Sequence, residues 1–314
     1  MRPNLPPAGG TGPEPSRASR RVMFTADDFG LSPSLNAAVA LAHRFGLLRN
    51  ASLMPGGPAF DQAVALSRDL PSLCLGVHLT LIQGRAVLPP GNIPHLVDSE
   101  GRFPNDPAGT GWRYYFETRL FPEIERELRS QIEAVLKAGV SVWHVNGHLN
   151  LHLHPRLAPL VVNLAREYGI PALRLAREDW LATLALAPDG ALPKVAQGLI
   201  FAILSRRAKR LAESAGLVVN DHLFGLTHDG RVTEDYLLGL VPRLGKGLTE
   251  IYSHPALAAD QALREAAASY RRQEEFRALV SSRLKESLAG KGIEVTDFRE
   301  VAQGSHCPAG HFSP

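Results

Sequence analysis

The chain has 314 residues, of which 45% are hydrophobic and 21% charged, so it can bury one barrel-sized core or two smaller ones. Its 34 Lys and Arg against 31 Asp and Glu leave a formal charge of +3, and because the basic residues are scattered, nucleic-acid binding is not indicated. The two cysteines, Cys74 and Cys307, exclude a disulfide scaffold and indicate a reducing compartment.

The two ends of the chain predict little fixed structure. Residues 1–20 are rich in proline and glycine and lack the apolar core of a signal peptide, which predicts a disordered leader and argues against export. Residues 303–314 have the composition of a frayed terminus, and we expect their histidines and cysteine to bind no metal. We therefore predict one domain, over residues 21–302, in a cytoplasmic protein.

Between these ends, short β-rich runs alternate with segments of helical period. The runs are RVMFTA from Arg21, NASLMP from Asn50, CLGVHLTL from Cys74, SVWHVN from Ser141, PALRLA from Pro171, LTEIYS from Leu248 and GIEVTDF from Gly292. Right-handed crossovers favour parallel pairing, and the sequence has no dinucleotide-binding glycine motif. About seven strands then indicate an α/β fold, a closed or partly closed parallel (β/α) barrel of TIM-like architecture.

Three helices are predicted with their limits. Ser32 followed by Pro33 is typical of an N-cap and a first helical position. Residues 121–138 carry apolar stripes up to Gly139, and residues 260–288 form one long candidate helix.

Two further segments are of interest for function. Residues 82–120, rich in proline, glycine and asparagine, are too long for an ordinary connection and predict a loop that covers the substrate. Residues 195–217 predict an amphipathic helix with its basic face in water, and the alternative is a helix that rests on a membrane or lipid. No stretch is apolar enough to span a membrane.

In a parallel barrel, catalytic groups come from the carboxyl ends of strands, and polar residues recur there in this sequence. They are Asp27 and Asp28 after the first run, His78 in the third, the motif HVNGHLNLHLHP after the fourth, Arg174 in the fifth, and His254 after TEIYS.

A carboxylate with two or more imidazoles is a typical ligand set for zinc or another divalent metal ion. Asp28, His78 and one or two histidines of the motif fit this set. Spacing leaves the choice open: His152 and His154 would share a face on a strand, whereas His148 and His152 would share one on a helix.

We prefer His148 as the third ligand, because Gly147 frees the backbone where the strand ends, and His152 is the rival. His144, within the strand, and His154 are further candidates. By contrast, we expect His43 and His95 to be core or capping residues.

The adjacent carboxylates Asp27 and Asp28 are predicted to have different roles. Successive side chains of a strand point in opposite directions, so Asp28 can face a metal while Asp27 approaches the attacking water. A divalent ion lowers the pKa of such a water, and a nearby carboxylate takes its proton. The alternative is that the pair caps the next helix or forms an Asx-turn before Gly30.

The ordered motifs TADDFGLS, GVHLTL, HVNGHLNLHLHP, ALRLARE and EIYSHPA resemble those of the YdjC/ChbG family of metal-dependent carbohydrate deacetylases. The Asn-Gly pair of the histidine motif is similar to the hopanoid-biosynthesis-associated branch, HpnK. The resemblance spans roughly residues 21–298. It implies a distorted (β/α) barrel related to polysaccharide deacetylases and removal of acetate from an N-acetylated amino sugar, in that branch an N-acetylglucosaminyl hopanoid glycolipid.

The resemblance also implies roles for individual residues. These are Asp27 as general base, Asp28, His78 and His148 as ligands of one divalent ion (zinc or magnesium), Arg174 as a contact to substrate or to a carboxylate, and His254 beside the leaving amine. Asn146 is also predicted to contact the substrate. The chain departs from the wider family at Asn146-Gly147, where Asp-Ser is usual, and at Asn150, where a histidine is common, which keeps His152 open as a ligand.

Other functions use similar residues. A deacetylase of soluble chito-oligosaccharides would have the same site. A metal-dependent phosphoesterase would normally have more carboxylates to bridge a second ion. A non-catalytic sugar-lipid binding protein would be expected to have lost Asp27 or a ligand. Contact with the inner membrane and a homodimer are also compatible with the sequence.

Overall fold

The computed structural model describes residues 19–186 and 191–305. The predicted disordered leader up to residue 18 and the predicted tail from residue 306 lie outside the described residues. The described strands are β1 Arg20–Phe29, β2 Asn50–Leu53, β3 Cys74–Leu79, β4 His144–Gly147, β5 Ala172–Leu173, β6 Val218–Val219, β7 His222–Phe224, β8 Gly247–Ser253 and β9 Glu294–Val295.

Helices alternate with these strands over the same described residues. They are α1 Pro33–Phe45, α2 Phe60–Arg68, α3 Pro107–Phe116, α4 Phe121–Lys137, α5 Ala158–Glu167, α6 Trp180–Leu186, α7 Ala191–Ser214, α8 Glu234–Leu240, α9 Gln261–Ala267, α10 Arg272–Leu279, α11 Ser282–Gly290 and α12 Phe298–Ser305.

The strands form one parallel sheet in the order β6-β5-β4-β3-β2-β1-β8-β7, with β9 paired to β1. β6 ends at Val219 and β7 begins at His222, so the two ends of this order are close in the chain and the sheet must curl round on itself. Within the described ranges no ladder joins β6 to β7. The predicted distorted, partly closed (β/α) barrel is confirmed, and the open seam is its distortion.

All seven β-rich runs contain strands, whereas β6 and β7 were not predicted. These strands have 2 and 3 residues, too few for an alternating pattern to be recognised. The N-cap at Ser32 is confirmed, because its Oγ accepts from the Leu35 N–H at 3.1 Å. The single helix over residues 260–288 is wrong: the segment forms α9, α10 and α11, and Ser281 caps a new start at α11.

His144 is a structural residue inside the barrel. Its ring stacks on Phe298 with centroids 4.4 Å apart, and its Nε2 lies 3.0 Å from Ser52 Oγ. Burial lowers the pKa of His144 to about 3, so the ring is neutral. His144, one of the candidate metal ligands, is therefore a core residue.

Replacing Gly76 with alanine is expected to lower the free energy of unfolding by about 1–3 kcal/mol, because a small-to-large change in a filled core forces the neighbours apart. Gly76 pairs with His144 across β3 and β4, and an added Cβ would lie 2.4 Å from that ring. Urea denaturation measures the change. The control is Gly111→Ala in α3, where nothing lies within 4 Å of the new Cβ; equal stabilities of the two variants would contradict the packing described.

The predicted covering loop is a packed excursion after β3, not an open loop. It contains α3, and its Tyr114 is fully buried with the hydroxyl donating to the Leu81 carbonyl at 2.8 Å. The buried Glu127 of α4 accepts the N–H groups of Val87 and Leu88 at 2.8 and 3.0 Å. The segment is thus held in place by hydrogen bonds to the barrel.

The predicted amphipathic helix over residues 195–217 corresponds to α7. Across the described ranges, none of the helices combines the length and the apolar character that crossing a bilayer requires.

Candidate active site

The carboxyl ends of β1, β3, β4 and β8 bring the predicted polar residues together. Five buried side chains meet there: Asp27, Asp28, His78, His148 and His254. This is the rim at which parallel barrels carry their active sites.

An irregular end of β1 separates the two carboxylates. The register to β2 shifts between Ala26 and Phe29, and Asp28 has φ +60°, in the left-handed region that non-glycine residues seldom adopt. The Asp27 and Asp28 side chains are therefore separated by this irregular strand end, and not by the alternation of a regular strand that the sequence predicted. Ser32, and not the aspartates, caps α1.

Asp28 lies at the centre of a candidate metal centre. Its Oδ1 is 3.3 Å from His78 Nε2 and 3.2 Å from His148 Nδ1. One ligand atom from each of the three residues lies within 4.8 Å of the others. One carboxylate and two imidazoles at this spacing can hold a divalent ion and leave positions open for water and substrate.

The polar groups of this triad fit a bound cation. His78 Nε2 is buried and has no hydrogen-bond partner within the described structure, an arrangement that is costly unless the lone pair has another use. Burial alone would raise the pKa of Asp28, but His148 and the neighbouring imidazoles outweigh it and hold that pKa well below the usual value. The carboxylate is therefore ionised and faces donors that a metal ion prefers.

Asn146 determines which nitrogen of His78 is free. Its amide group lies 2.8 Å from His78 Nδ1, and with the amide oxygen on that side Nδ1 donates and the Nε2 lone pair is left for a cation. If the amide were turned over, its nitrogen would donate to Nδ1 and its oxygen would lie 2.9 Å from Arg174 Nη2. Ligation by His78 requires the first orientation. Asn146 is fully buried and, as it stands here, contacts protein groups and not the open rim.

The turn after β4 brings His148, and not His152, into the triad. Leu149 and Asn150 both have positive φ (52° and 54°), so the chain reverses sharply after His148. His152 Nε2 donates to the Arg174 carbonyl at 3.0 Å, and burial lowers the pKa of His152 to about 3. His152 thus holds the backbone directly after β5 in place. His154 lies outside the triad and meets Tyr115 of α3.

Arg174 binds Asp27 through two hydrogen bonds, of 2.5 and 2.9 Å. Burial alone would raise the pKa of Asp27, but the guanidinium outweighs it and holds the pKa far below the usual value. Arg174 also donates to Glu250 Oε1 at 2.7 and 3.1 Å. Of the two contacts predicted for Arg174, the structure shows the carboxylate, and the buried side chain has no surface open to a substrate.

His254 and Asp229 form a second pair beside the triad. His254 Nε2 lies 3.9 Å from Asp28 Oδ2, and its Nδ1 lies 3.4 Å from Asp229 Oδ1. Burial lowers the pKa of His254 to about 4 and raises that of Asp229 to about 8. The pair therefore carries one proton at neutral pH, and His254 is the member that faces the triad.

The sequence prediction missed three carboxylates that support this site. Glu250 could have been found, because Glu250, Tyr252 and His254 alternate along β8 and share a face. Asp229 and Glu275 lie outside any strand, and no periodic pattern marks them. Glu275 accepts the His254 N–H at 2.8 Å, and burial raises its pKa to about 7.

A cavity of about 680 Å³ lies on the same rim. It is lined by Leu31 after β1, by Met54 after β2 and by Gln83 and Phe103 of the excursion after β3. None of the triad residues lines this cavity. The cavity therefore lies beside the candidate metal centre and does not include it.

The chain is similar to known proteins over most of its length. The sequence pattern of a family described as YdjC-like protein matches residues 21–290. A carbohydrate deacetylase of Brevibacillus brevis is 27% identical over 281 residues, which cover 90% of this chain and 99% of the relative. A carbohydrate deacetylase of Vibrio cholerae is 31% identical over 286 residues, covering 88% of this chain and 95% of the relative.

A solved structure shows the same architecture. It is an Enterococcus faecalis protein named provisionally for cellobiose-phosphate cleavage, which superposes with a TM-score of 0.70 at 25% identity. The superposition covers 90% of this chain and 99% of that protein.

Proposed function

This chain belongs to the YdjC-like family, and from that premise we propose that it is a metal-dependent carbohydrate deacetylase that removes acetate from an N-acetylated amino sugar. The observation that supports this most is the division between two adjacent carboxylates. Asp28 faces two imidazoles, while Asp27 is held by a guanidinium. The relatives named carbohydrate deacetylases match over nearly their full length, so the whole activity can be considered for this chain.

Asp28, His78 and His148 would hold the ion, and His152 has another partner. When bound, a divalent cation supplies Lewis acidity to the acetamide carbonyl and lowers the pKa of a water molecule. Two imidazole donors favour zinc, and magnesium is the alternative.

The protein's own groups then move the protons. Asp27, ionised and fixed by Arg174, accepts a proton from the water that adds to the acetamide carbon. The C–N bond breaks as His254 Nε2 gives a proton to the departing nitrogen, and Asp229, which holds the proton of the pair, replaces it at His254 Nδ1. The products are acetate and a free amino sugar.

Replacing Arg174 with lysine is expected to move the acidic limb of the kcat/KM profile to higher pH by about one unit. The guanidinium, bound through two hydrogen bonds, keeps the pKa of Asp27 below its usual value, so this carboxylate is lost as a base only at the acidic end of the profile. A lysine pairs less well, the pKa rises, and the base becomes protonated at a higher pH as acid is added. Arg166→Lys, on the exposed surface of α5, is the control; an unchanged limb in the Arg174 variant would contradict the pairing.

For the substrate, we propose an N-acetylglucosaminyl hopanoid, a lipid-linked sugar deacetylated at the cytoplasmic face of the inner membrane. The Asn146-Gly147 pair supports this branch of the family. The alternative is a soluble chito-oligosaccharide. In either case the rim cavity beside the triad offers room for the part of the substrate that does not react.

Acetate release distinguishes these substrates. Purified protein supplied with zinc or magnesium is incubated with N-acetylglucosaminyl hopanoid and, in parallel, with diacetylchitobiose. Release from the lipid supports the hopanoid proposal, and release from the soluble sugar alone leaves a deacetylase without a lipid substrate. If neither releases acetate while metal is bound, the deacetylase proposal fails, and a phosphoesterase or a binding protein becomes the better explanation.

A further inference from the structure

The outward face of α7 is apolar where a barrel helix is expected to be polar. Leu192, Leu199, Ile200 and Ile203 are between 51% and 85% exposed. Their spacing places them on one side of the helix, where they form a single stripe. We call these four side chains the α7 stripe. The sequence predicted a basic face in water. In the structure, the N-terminal half of the exposed face instead carries large aliphatic side chains.

Basic residues continue the same face toward the end of α7. Arg206, Arg207 and Arg210 follow the stripe at helical spacing and are exposed. Arg206, Arg210 and Lys209 also line one shallow depression together with Arg177. Lys209 lies 3.6 Å from Glu213, and no other ion pair of these four basic residues is found within the described structure. The depression is therefore strongly cationic.

Helix α7, which carries the stripe, lies close to the candidate active site in the fold. α7 packs against the turn His148–Leu153, which carries a ligand of the triad. α3 meets the end of this turn, where Tyr115 contacts His154. On α3, Trp112 and Phe116 stack with centroids 5.3 Å apart and are both largely exposed. Exposed apolar groups thus occur on two elements that meet this turn.

We propose that the α7 stripe and its basic continuation dock the protein on an anionic lipid bilayer. A helix with exposed aliphatic groups beside unpaired cations is suited to lie in the interface of a membrane, with its apolar groups among acyl chains and its cations at anionic headgroups. Exposed aromatic rings near by, as on α3, are also typical of membrane interfaces. The contact that we propose is peripheral, with α7 lying along the surface of the bilayer.

A second copy of the chain fits this surface less well. A two-fold contact through the stripe would bring both basic continuations to the same interface without opposite charges to meet them. The inference rests on the proposed function in one respect, since a lipid-linked sugar would be reached from the bilayer. Membrane docking and turnover are nevertheless measured separately, so that either proposal can fail alone.

Vesicle co-sedimentation of the full chain tests the docking surface. We expect the protein to bind vesicles of phosphatidylcholine with phosphatidylglycerol. Binding should be weaker to vesicles of pure phosphatidylcholine, and weaker to the anionic vesicles at high salt. Two triple variants separate the contributions: Leu199→Gln, Ile200→Gln, Ile203→Gln for the stripe, and Arg206→Gln, Arg207→Gln, Arg210→Gln for the charges. Each is expected to lower the partition coefficient on anionic vesicles by ~10-fold or more.

The control variants replace exposed groups away from α7 with glutamine. Phe45→Gln, 75% exposed at the end of α1, is the apolar control. Lys246→Gln, Lys285→Gln and Lys291→Gln together are the charge control, at three exposed lysines away from α7. Controls and α7 variants alike should release acetate from a soluble N-acetylated sugar as the parent protein does.

The proposal would be overturned by a parent protein that does not bind anionic vesicles, or by α7 variants that bind them as the controls do. If the parent does not bind vesicles and the stripe variant changes a dimer into a monomer in analytical ultracentrifugation, the stripe is a protein interface instead. If vesicle binding behaves as expected but no acetate is released, docking stands and the deacetylase proposal fails.

Discussion

Replacing Asp27 with asparagine is expected to lower the turnover number by about 10²–10⁴-fold, the contribution typical of a general base. The side chain keeps its shape and can still accept from Arg174, but it cannot take a proton from water. Metal affinity should stay unchanged, because Asp27 faces Arg174 whereas the triad is built from Asp28 and two imidazoles. Acetate release and metal content, measured on the same sample, check both statements.

The control for this variant is Asp61→Asn, an exposed carboxylate at the start of α2. It should leave turnover and metal content unchanged. Near-normal turnover of the Asp27 variant with metal bound would show that another group takes the proton, and the assignment of the base would then be wrong.

Replacing Asp28 with asparagine is expected to weaken metal affinity by at least ~10²-fold and to remove turnover with it. Asparagine is the suitable change because it tolerates the left-handed backbone at this position, φ +60°, and so removes the charge without straining the turn. His78→Gln and His148→Gln should also lose the metal. Isothermal titration with zinc and the metal content of purified protein measure the loss.

His152→Gln is the informative comparison for the ligand set. Since His152 Nε2 donates to the Arg174 carbonyl, this variant should retain the metal. If the His152 variant lost the metal and the His148 variant kept it, His152 would be the third ligand. That result would contradict the geometry of the turn after β4.

Two neighbouring carboxylates acquire different chemistry here from their surroundings. Asp27 meets a buried guanidinium, which Glu250 holds from the other side, so the Asp27 carboxylate remains ionised. Among the described residues, the Asp28 side chain meets imidazoles, a set of groups that suits a divalent cation. Pairs of titratable groups with opposing environments are a general mark of acid–base sites.

Much of this site could be predicted because the carboxyl ends of parallel strands meet at one rim. Asp28 and His78 are the next-to-last residues of their strands and His148 follows β4 directly. Since the sequence marks all three strands by β-rich runs, the proximity of these side chains follows from the fold class. The choice between His148 and His152 could not be made from spacing, because it depends on a reversal at two residues with positive φ.

Other features depend on long-range packing that one sequence does not display. Asp229 reaches His254 from the loop after β7, a strand too short to be recognised. The periodicity of α7 predicts a helix but cannot say which apolar side meets the barrel, so its exposed stripe appears only in the structure. The breaks between α9, α10 and α11 were hidden for a similar reason, since every piece has helical composition.

The most direct test of a metal-dependent deacetylase is a zinc titration of chelator-treated protein, with acetate release from N-acetylated substrate as the readout. The account predicts no release before metal is added, a rise in proportion to the zinc bound, and saturation at about one ion per chain, as a single mononuclear site requires. Full release from protein shown to be free of metal would contradict it.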